Sequence, residues 1–174
     1  MIVYVLGLIC LLLFLLIINK KTEGFIAQSK PFIWLYWENK PNIIEPPNYI
    51  KMCRESVLLH CEKDFNVVIL NETTVKTYIP DLREDINELQ IPQKADYIRL
   101  KLLEKYGGIW LDSDIIVMKS LMPIMDKMKN NIDFVGFGCH YRNCRDLRKP
   151  KPANWVMASK PNTKFMKMCI EECE

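Results

Sequence analysis

The stretch QKADYIRLKLLEKYGGIWLDSDIIVMKSL, residues 93–121, decides how the rest of the chain is read. In its first half Ala95, Ile98 and Leu102 recur at three- and four-residue spacing, which lays an apolar stripe along one face of a helix. Pro92 suits a first helical position, where its fixed φ and missing N–H cost nothing. Asp96 and Arg99 are three apart and share a different face. Gly107 and Gly108 stop the helix, and Gly107 fits the left-handed residue that follows a last helical turn. Ile109, Trp110 and Leu111 then form a short apolar run of the kind that makes a buried strand. Asp112-Ser113-Asp114 comes next, followed by a second apolar run over 115–118.

Two acids inside an otherwise hydrophobic stretch are costly unless something neutralises them. In extended backbone, residues two apart point to the same side, so Asp112 and Asp114 can aim at one point. A divalent cation with oxygen ligands is the usual occupant of such a point. An Asp-x-Asp triplet is common in itself, and a surface turn with solvated acids also produces it. Asp96 and Arg99 have an equally plain alternative as an exposed ion pair worth a few tenths of a kcal/mol.

The segment Asp96-Tyr97-Ile98-Arg99, then Tyr106-Gly107-Gly108-Ile109-Trp110-Leu111-Asp112-Ser113-Asp114, resembles the signature of DxD-type glycosyltransferases. Within them it is most similar to the capsular-polysaccharide-synthesis proteins and the initiating α-1,6-mannosyltransferase-like family. Their shared pattern is S/A-D-x-x-R, a helix, Y-G-G-I-x-L-D-x-D and a strand, and the chain keeps every element of it. The resemblance implies a GT-A-like, Rossmann-type α/β domain with a mainly parallel sheet. It further implies a UDP- or GDP-sugar donor, a Mn²⁺ or Mg²⁺ ion, and a glycan or polysaccharide acceptor.

Carried over residue by residue, Asp114 is the direct metal ligand, and Asp112 reaches the ion through water or bridges to the ribose. Asp96 and Arg99 contact the nucleotide or the donor sugar, with Tyr106, Gly107, Gly108 and Ser113 beside them. Arg99, Asp112 and Asp114 are the catalytic set. Trp37 stands where relatives carry an aromatic near the nucleotide base, although Trp34 and Trp37 also read as core aromatics. Asn154, in a short strand before a small-x-Pro turn, corresponds to an Asn that comes near the donor sugar or the metal. Relatives continue beyond the length seen here, and that extra chain often completes the acceptor side.

Around this stretch the chain has 174 residues and a formal charge of +3. Excluding an apolar N-terminus, that is room for one domain with an adequate core. The small net charge and the lack of any nucleic-acid signature argue against a DNA or RNA partner. Residues 1–19 are apolar apart from Gly7 and the last position, just long enough for a single-pass membrane anchor. A signal peptide is the competing reading, but no basic n-region precedes the run. Lys20 and Lys21 after the span favour a cytosolic domain, whereas lumenal sugar transferases of this layout need the reverse, so the side of the membrane stays open. Residues 20–30 are polar enough for a stem, leaving 31–174 as the transferase domain.

Within that domain, 31–37 is a bulky β-prone run ending in a turn cluster at Glu38-Asn39-Lys40-Pro41. A helix is expected over 48–60, a strand over 65–70, a short helix after a loop at 71–77, and a further extended piece at 78–80. Downstream, a helix over 120–130 and strands at 133–138 and 153–158 precede an amphipathic helix from residue 163. Strands alternating with helices argue for a sheet covered on both faces. The run 141–152 is basic and proline-bearing; it reads as a solvated loop, or as one folded over a pyrophosphate through Arg142, Arg145 and Arg148.

Seven cysteines include Cys10 in the apolar N-terminus and six in the domain. Six allow fifteen pairings, and buried free thiols are favoured over a zinc site because no C-x-x-C pair occurs. Asn71-Glu72-Thr73 fits a glycosylation sequon, relevant only in a lumen. Two rivals remain. One is a haloacid-dehalogenase-type phosphatase, whose D-x-D usually opens the domain rather than closing it. The other is a membrane-tethered module that binds a nucleotide-sugar without turnover.

Overall fold

The computed structural model describes residues 30–138 and 152–173. Strand β1 (Phe32–Tyr36) forms from the bulky run FIWLY, whose side chains alternate between two apolar layers. Ile33 and Leu35 face one way, onto Val57 and Cys61 of helix α1 (Asn48–Cys61) and Met128 of α4 (Met122–Met128). Trp34 and Tyr36 face the other way, onto Ile98, Leu102 and Leu103 of α3 (Ile91–Tyr106) and Met166 of α5 (Lys164–Glu171). The strand's period of two thus generates helices on both faces of one sheet.

Five strands make that sheet, in the order β2 (Asn66–Leu70), β1, β3 (Gly108–Leu111), β5 (Pro152–Ser159), β4 (Phe134–Gly138). β1 runs parallel to both β2 and β3, with Ile33 opposite Ile109 and Trp34 opposite Trp110. β5 is antiparallel to β3 and to β4. The sheet therefore has the expected parallel core, and it is mixed because β5 is reversed between β3 and β4. A short run before a turn carries no local mark of strand direction, which is why the reversal of β5 was not legible.

Helix α3 begins where Pro92 allows it, and Gln90 and Gln93 add a reciprocal cap at its first turn. It ends at Gly107, whose φ of 65° and ψ of −160° only glycine adopts cheaply. A Cβ on Gly108, at φ 97°, would lie 2.4 Å from the Phe32 carbonyl oxygen, so the strand pair closes only over a bare α-carbon.

Three expected elements differ. Residues 78–80 are not a strand: α2 (Val75–Tyr78) closes with Ile79 N–H donating to Val75 O, and buried Ile79 is a core plug. The run 115–118 stays irregular, because Ile115 N–H turns back to Asp112 O and Val117 N–H is taken by the Ser56 hydroxyl. The helix expected over 120–130 is trimmed to α4, which starts beside Pro123.

Among the described residues no helix is long and apolar enough to cross a membrane, and the expected span at 1–19 lies outside them. Arg142, Arg145 and Arg148 also lie outside, as do Cys10, Cys139 and Cys144. Cys53, Cys61, Cys169 and Cys173 are free, the first two buried in the core.

Candidate active site

β3 delivers the acid pair. Past Leu111 the chain keeps one more sheet-like bond, Asp112 N–H to Trp155 O at 2.9 Å, and then turns as Ile115 N–H reaches Asp112 O. Between the acids, Ser113 is buried, and its hydroxyl donates to Tyr36 O at 2.8 Å. The loop is thus tied to β5 on one side and to the end of β1 on the other, while Asp112 and Asp114 both line one cleft. That cleft encloses about 660 Å³, within the range of small-molecule sites.

Helix α3 supplies the opposing charge. Arg99 is only 4% exposed, with its guanidinium 5.0 Å from the Trp110 ring centroid. Nη2 lies 3.0 Å from Asp96 Oδ1 and 3.4 Å from Asp112 Oδ1, and Nη1 donates to the Asn154 carbonyl oxygen. Among the described residues the buried Arg99 Nε–H has no hydrogen-bond partner. Asn154 Nδ2 donates to Asp96 Oδ1 at 3.0 Å. The register of β4 against β5 slips between Gly136 and Phe137, and such a bulge re-aims side chains in the segment that holds Asn154. Asp96, Arg99, Asp112 and Asn154 therefore form one connected network on the cleft wall.

Burial is the largest influence on Asp112 and pushes its carboxyl above the ordinary aspartate range; Asp114 and Asp96 push the same way. The Trp110 indole N–H, 2.8 Å from Oδ1, and the charge of Arg99 oppose them. Burial likewise lowers the Arg99 guanidinium, against the pull of Asp112 and Asp96.

Part of the cleft lining is aromatic. Trp37 stands edge-on to Tyr49, ring centroids 6.5 Å apart and planes at 90°. Its indole N–H donates to Asn39 Oδ1 at 2.7 Å, and Asn39 Nδ2 donates to Ile44 O, which pins the loop beside it. Trp34, by contrast, is wholly buried and spends its indole N–H on Gly107 O. Trp34 is thus a core aromatic, whereas Trp37 lines the cleft.

Tyr106, Gly107 and Gly108 sit at the opposite end of β3 and do not line the cleft. Tyr106 packs on Phe32, Trp34 and Tyr78 and donates its hydroxyl to Tyr78 O. A Cβ on Gly107 would meet Pro161 Cδ at 2.7 Å, so its bareness admits the turn after β5 rather than a ligand. Ser113 lines the cleft, although its hydroxyl is committed to Tyr36 O. Sequence reasoning missed Glu38, Tyr49 and Lys94. Lys94 Nζ holds both Glu38 oxygens, at 2.8 and 3.1 Å, and Tyr36 donates its hydroxyl to Glu38 Oε2. Glu38 was legible only as part of a turn cluster, and nothing local marked Lys94 as buried.

The donor set suits a hard divalent cation of the Mg²⁺ or Mn²⁺ kind. Such ions are held by one or two carboxylates and complete their shell with phosphate oxygens and water rather than with an all-protein cage. Two carboxylates on an open cleft meet that pattern, and among the described residues no cluster of three or more candidate ligands competes with them.

A mixed sheet with this cleft at the strand ends is the frame of a glycosyltransferase-like protein. The solved structure of PaToxG Glycosyltransferase has the same fold, with a TM-score of 0.52 at 16% identity over 82% of this chain and 59% of that one. Lactosylceramide 4-alpha-galactosyltransferase of Mus musculus is 32% identical over 60 residues, which is 34% of this chain and 17% of that protein. The chain spans less than two thirds of either relative's length. It matches the capsular polysaccharide synthesis protein family over residues 14–172 and belongs to that family.

Proposed function

We propose that the chain transfers a sugar from a nucleotide-diphosphate donor, UDP- or GDP-linked, to a hydroxyl of a glycan or polysaccharide acceptor. One observation carries this reading: a single cleft is lined both by the Trp37–Tyr49 aromatic pair and by Asp112 and Asp114. A nucleoside diphosphate has the matching polarity, a flat base joined through a ribose to a dense negative charge.

Trp37 offers its ring to the base. Asp114, exposed at the mouth of the turn, and Asp112 hold Mn²⁺ or Mg²⁺ against the diphosphate. That ion, when bound, neutralises charge on the departing diphosphate as a Lewis acid, without a proton transfer. Arg99 fixes Asp112 through its Oδ1 contact and lines the cleft that takes the donor. Asp96 and Asn154, already bonded to each other, present acceptor and donor groups to sugar hydroxyls. The galactosyltransferase relative supports a hexose as the transferred group.

The test is hydrolysis of a panel of nucleotide-sugars with and without Mn²⁺, by wild type and Asp114→Asn. Wild type should release the nucleotide diphosphate only with the ion. The variant should lose about 100-fold or more, the scale on which removing an electrostatic stabiliser acts. Turnover that ignores a chelator, or survives in Asp114→Asn, removes the metal from the reading. Phosphate release from simple phosphoesters instead would favour phosphatase chemistry.

A further inference from the structure

Glu38 lines the cleft outside the network of Asp96, Arg99, Asp112 and Asn154. It directly follows Trp37, its side chain is 16% exposed, and it lines the same cleft as the aromatic pair and the acid pair. One hydrogen bond links each neighbour onward: Tyr36, which donates to Glu38, gives its carbonyl to Ser113 between the two aspartates. Lys94, 8% exposed on the first turn of α3, holds the carboxylate from the far side. Burial, then the bond to Glu38, raises the Tyr36 phenol well above its ordinary range, so the hydroxyl stays a donor.

Its acceptor capacity is almost, but not fully, used. An ionised carboxylate offers about four lone-pair sites. Lys94 takes one on each oxygen and Tyr36 takes a second on Oε2, which leaves one on Oε1. Burying such an ion pair is no gain in stability over an apolar pair of the same volume. A group that completes Oε1 from the cleft must be a hydrogen-bond donor, and a phosphate at neutral pH is not one.

Resting on the nucleotide-sugar reading above, we infer that Glu38 is a specificity-determining residue that accepts a hydrogen bond from a ribose hydroxyl of the donor. Of the three parts of a nucleoside diphosphate, the base belongs at Trp37 and the diphosphate at Asp112 and Asp114. The ribose joins them, and Glu38 is the lining acid tied to both groups, next to Trp37 in the chain and linked through Tyr36 to Ser113 between the aspartates. Lys94 and Tyr36 are positioning residues that hold Oε1 toward it. The consequence is discrimination against deoxyribonucleotides, because a buried acceptor left unpaired penalises the analogue that lacks the donor.

The experiment is calorimetric titration of the full-length chain, in Mn²⁺, with UDP and GDP and with their 2′-deoxy and 3′-deoxy forms. Wild type should prefer the ribo form over one of the deoxy forms by about 10- to 100-fold, the range of a hydrogen bond to a charged acceptor. Glu38→Gln should reduce that preference to about threefold or less. The paired replacement Glu38→Met with Lys94→Met, which leaves no buried charge alone, should do the same if the single variant folds poorly. A merely structural Glu38 would weaken ribo and deoxy forms equally and keep the ratio, which overturns the inference, as does a wild type without preference. A preference lost on N-methylating the base instead would assign Glu38 to the base and likewise overturn the ribose contact. Binding of neither UDP nor GDP overturns this inference and the underlying reading together.

Discussion

At the scale of single residues, Asp112 is where stability and proposed chemistry pull apart. Burial raises its carboxyl above the ordinary value even with Arg99 beside it, so the folded protein holds that proton more tightly than the unfolded chain does. The stabilising influence of such a group is complete below the unfolded-state value of about 3.9 and is lost as pH rises through the folded value. Asp112→Asn removes the ionisation and can keep the Trp110 bond. Urea unfolding without metal should therefore show the variant gaining on wild type between about pH 4 and pH 7, while donor hydrolysis is lost. A variant that falls behind as pH rises would mean that the Arg99 pair outweighs desolvation. Arg99 itself lends a complementary test. Its planar fork reaches Asp96, Asp112 and the Asn154 carbonyl together, and an ammonium cannot match that geometry. Arg99→Lys should cost on the order of 2 kcal/mol of stability, the worth of one charged hydrogen bond, and weaken nucleotide-sugar binding about tenfold or more. Donor affinity that is unchanged by titration would take Arg99 out of the donor site.

Among the elements, the junction of α3 and β3 shows how much a sequence discloses. The 3–4 spacing, Pro92 and the paired glycines located the helix, its start and its end, and the β-prone run at 31–37 located the first strand. The glycines announced a stop, but not what presses on them, because contacts with Phe32 and Pro161 come from residues 76 and 54 positions away along the chain. Likewise the apolar run 115–118 has the composition of a strand, yet its N–H groups are claimed by Asp112 and Ser56 before any neighbour can pair with it. Asp96, Arg99, Asp112 and Asp114 were legible because one motif holds them in local register, and Trp37 and Asn154 because short stretches around each resemble the family's. Glu38 and Lys94 were not, since they meet only when β1 packs beside α3. Gly108→Ala tests the junction directly. The added methyl would sit 2.4 Å from a backbone oxygen at a φ of 97°, joining overpacking to left-handed strain for about 3 kcal/mol or more. A urea midpoint within the error of wild type would show that β1 and β3 can part enough to admit it. Activity should fall only with the folded fraction, because the glycine touches no part of the cleft.

For the whole molecule, the topology explains why one cleft collects residues so far apart in sequence. β1 and β3 are parallel neighbours, so their carboxyl ends open side by side and place Trp37 and Glu38 next to Asp112 and Asp114. β5 runs the other way and brings Asn154, near its start, to that same edge. The first two turns of α3 close it with Lys94, Asp96 and Arg99. A ligand across this edge bridges three strands and a helix, and its binding free energy should appear as stability of the whole fold. Glu38, Asp96, Asp112 and Asp114 line the cleft, so a diphosphate alone meets like charge, and a divalent cation alone meets two carboxylates with no phosphate to complete its shell. The two should therefore bind reciprocally, each tightening the other by the same factor. At about 100 times the dissociation constant of the nucleotide, linkage gives about 2.7 kcal/mol. For a domain of this size that is a rise in Tm of roughly 5–10 °C. Thermal unfolding with Mn²⁺ and UDP or GDP together should show that rise, and each component alone should show little of it. Asp114→Asn should show none, while melting near wild type without ligand, because an exposed substitution usually changes stability by about 0.5 kcal/mol or less. An equal rise with nucleotide alone, or in the variant, would mean that the cleft holds the diphosphate through groups other than the acid pair.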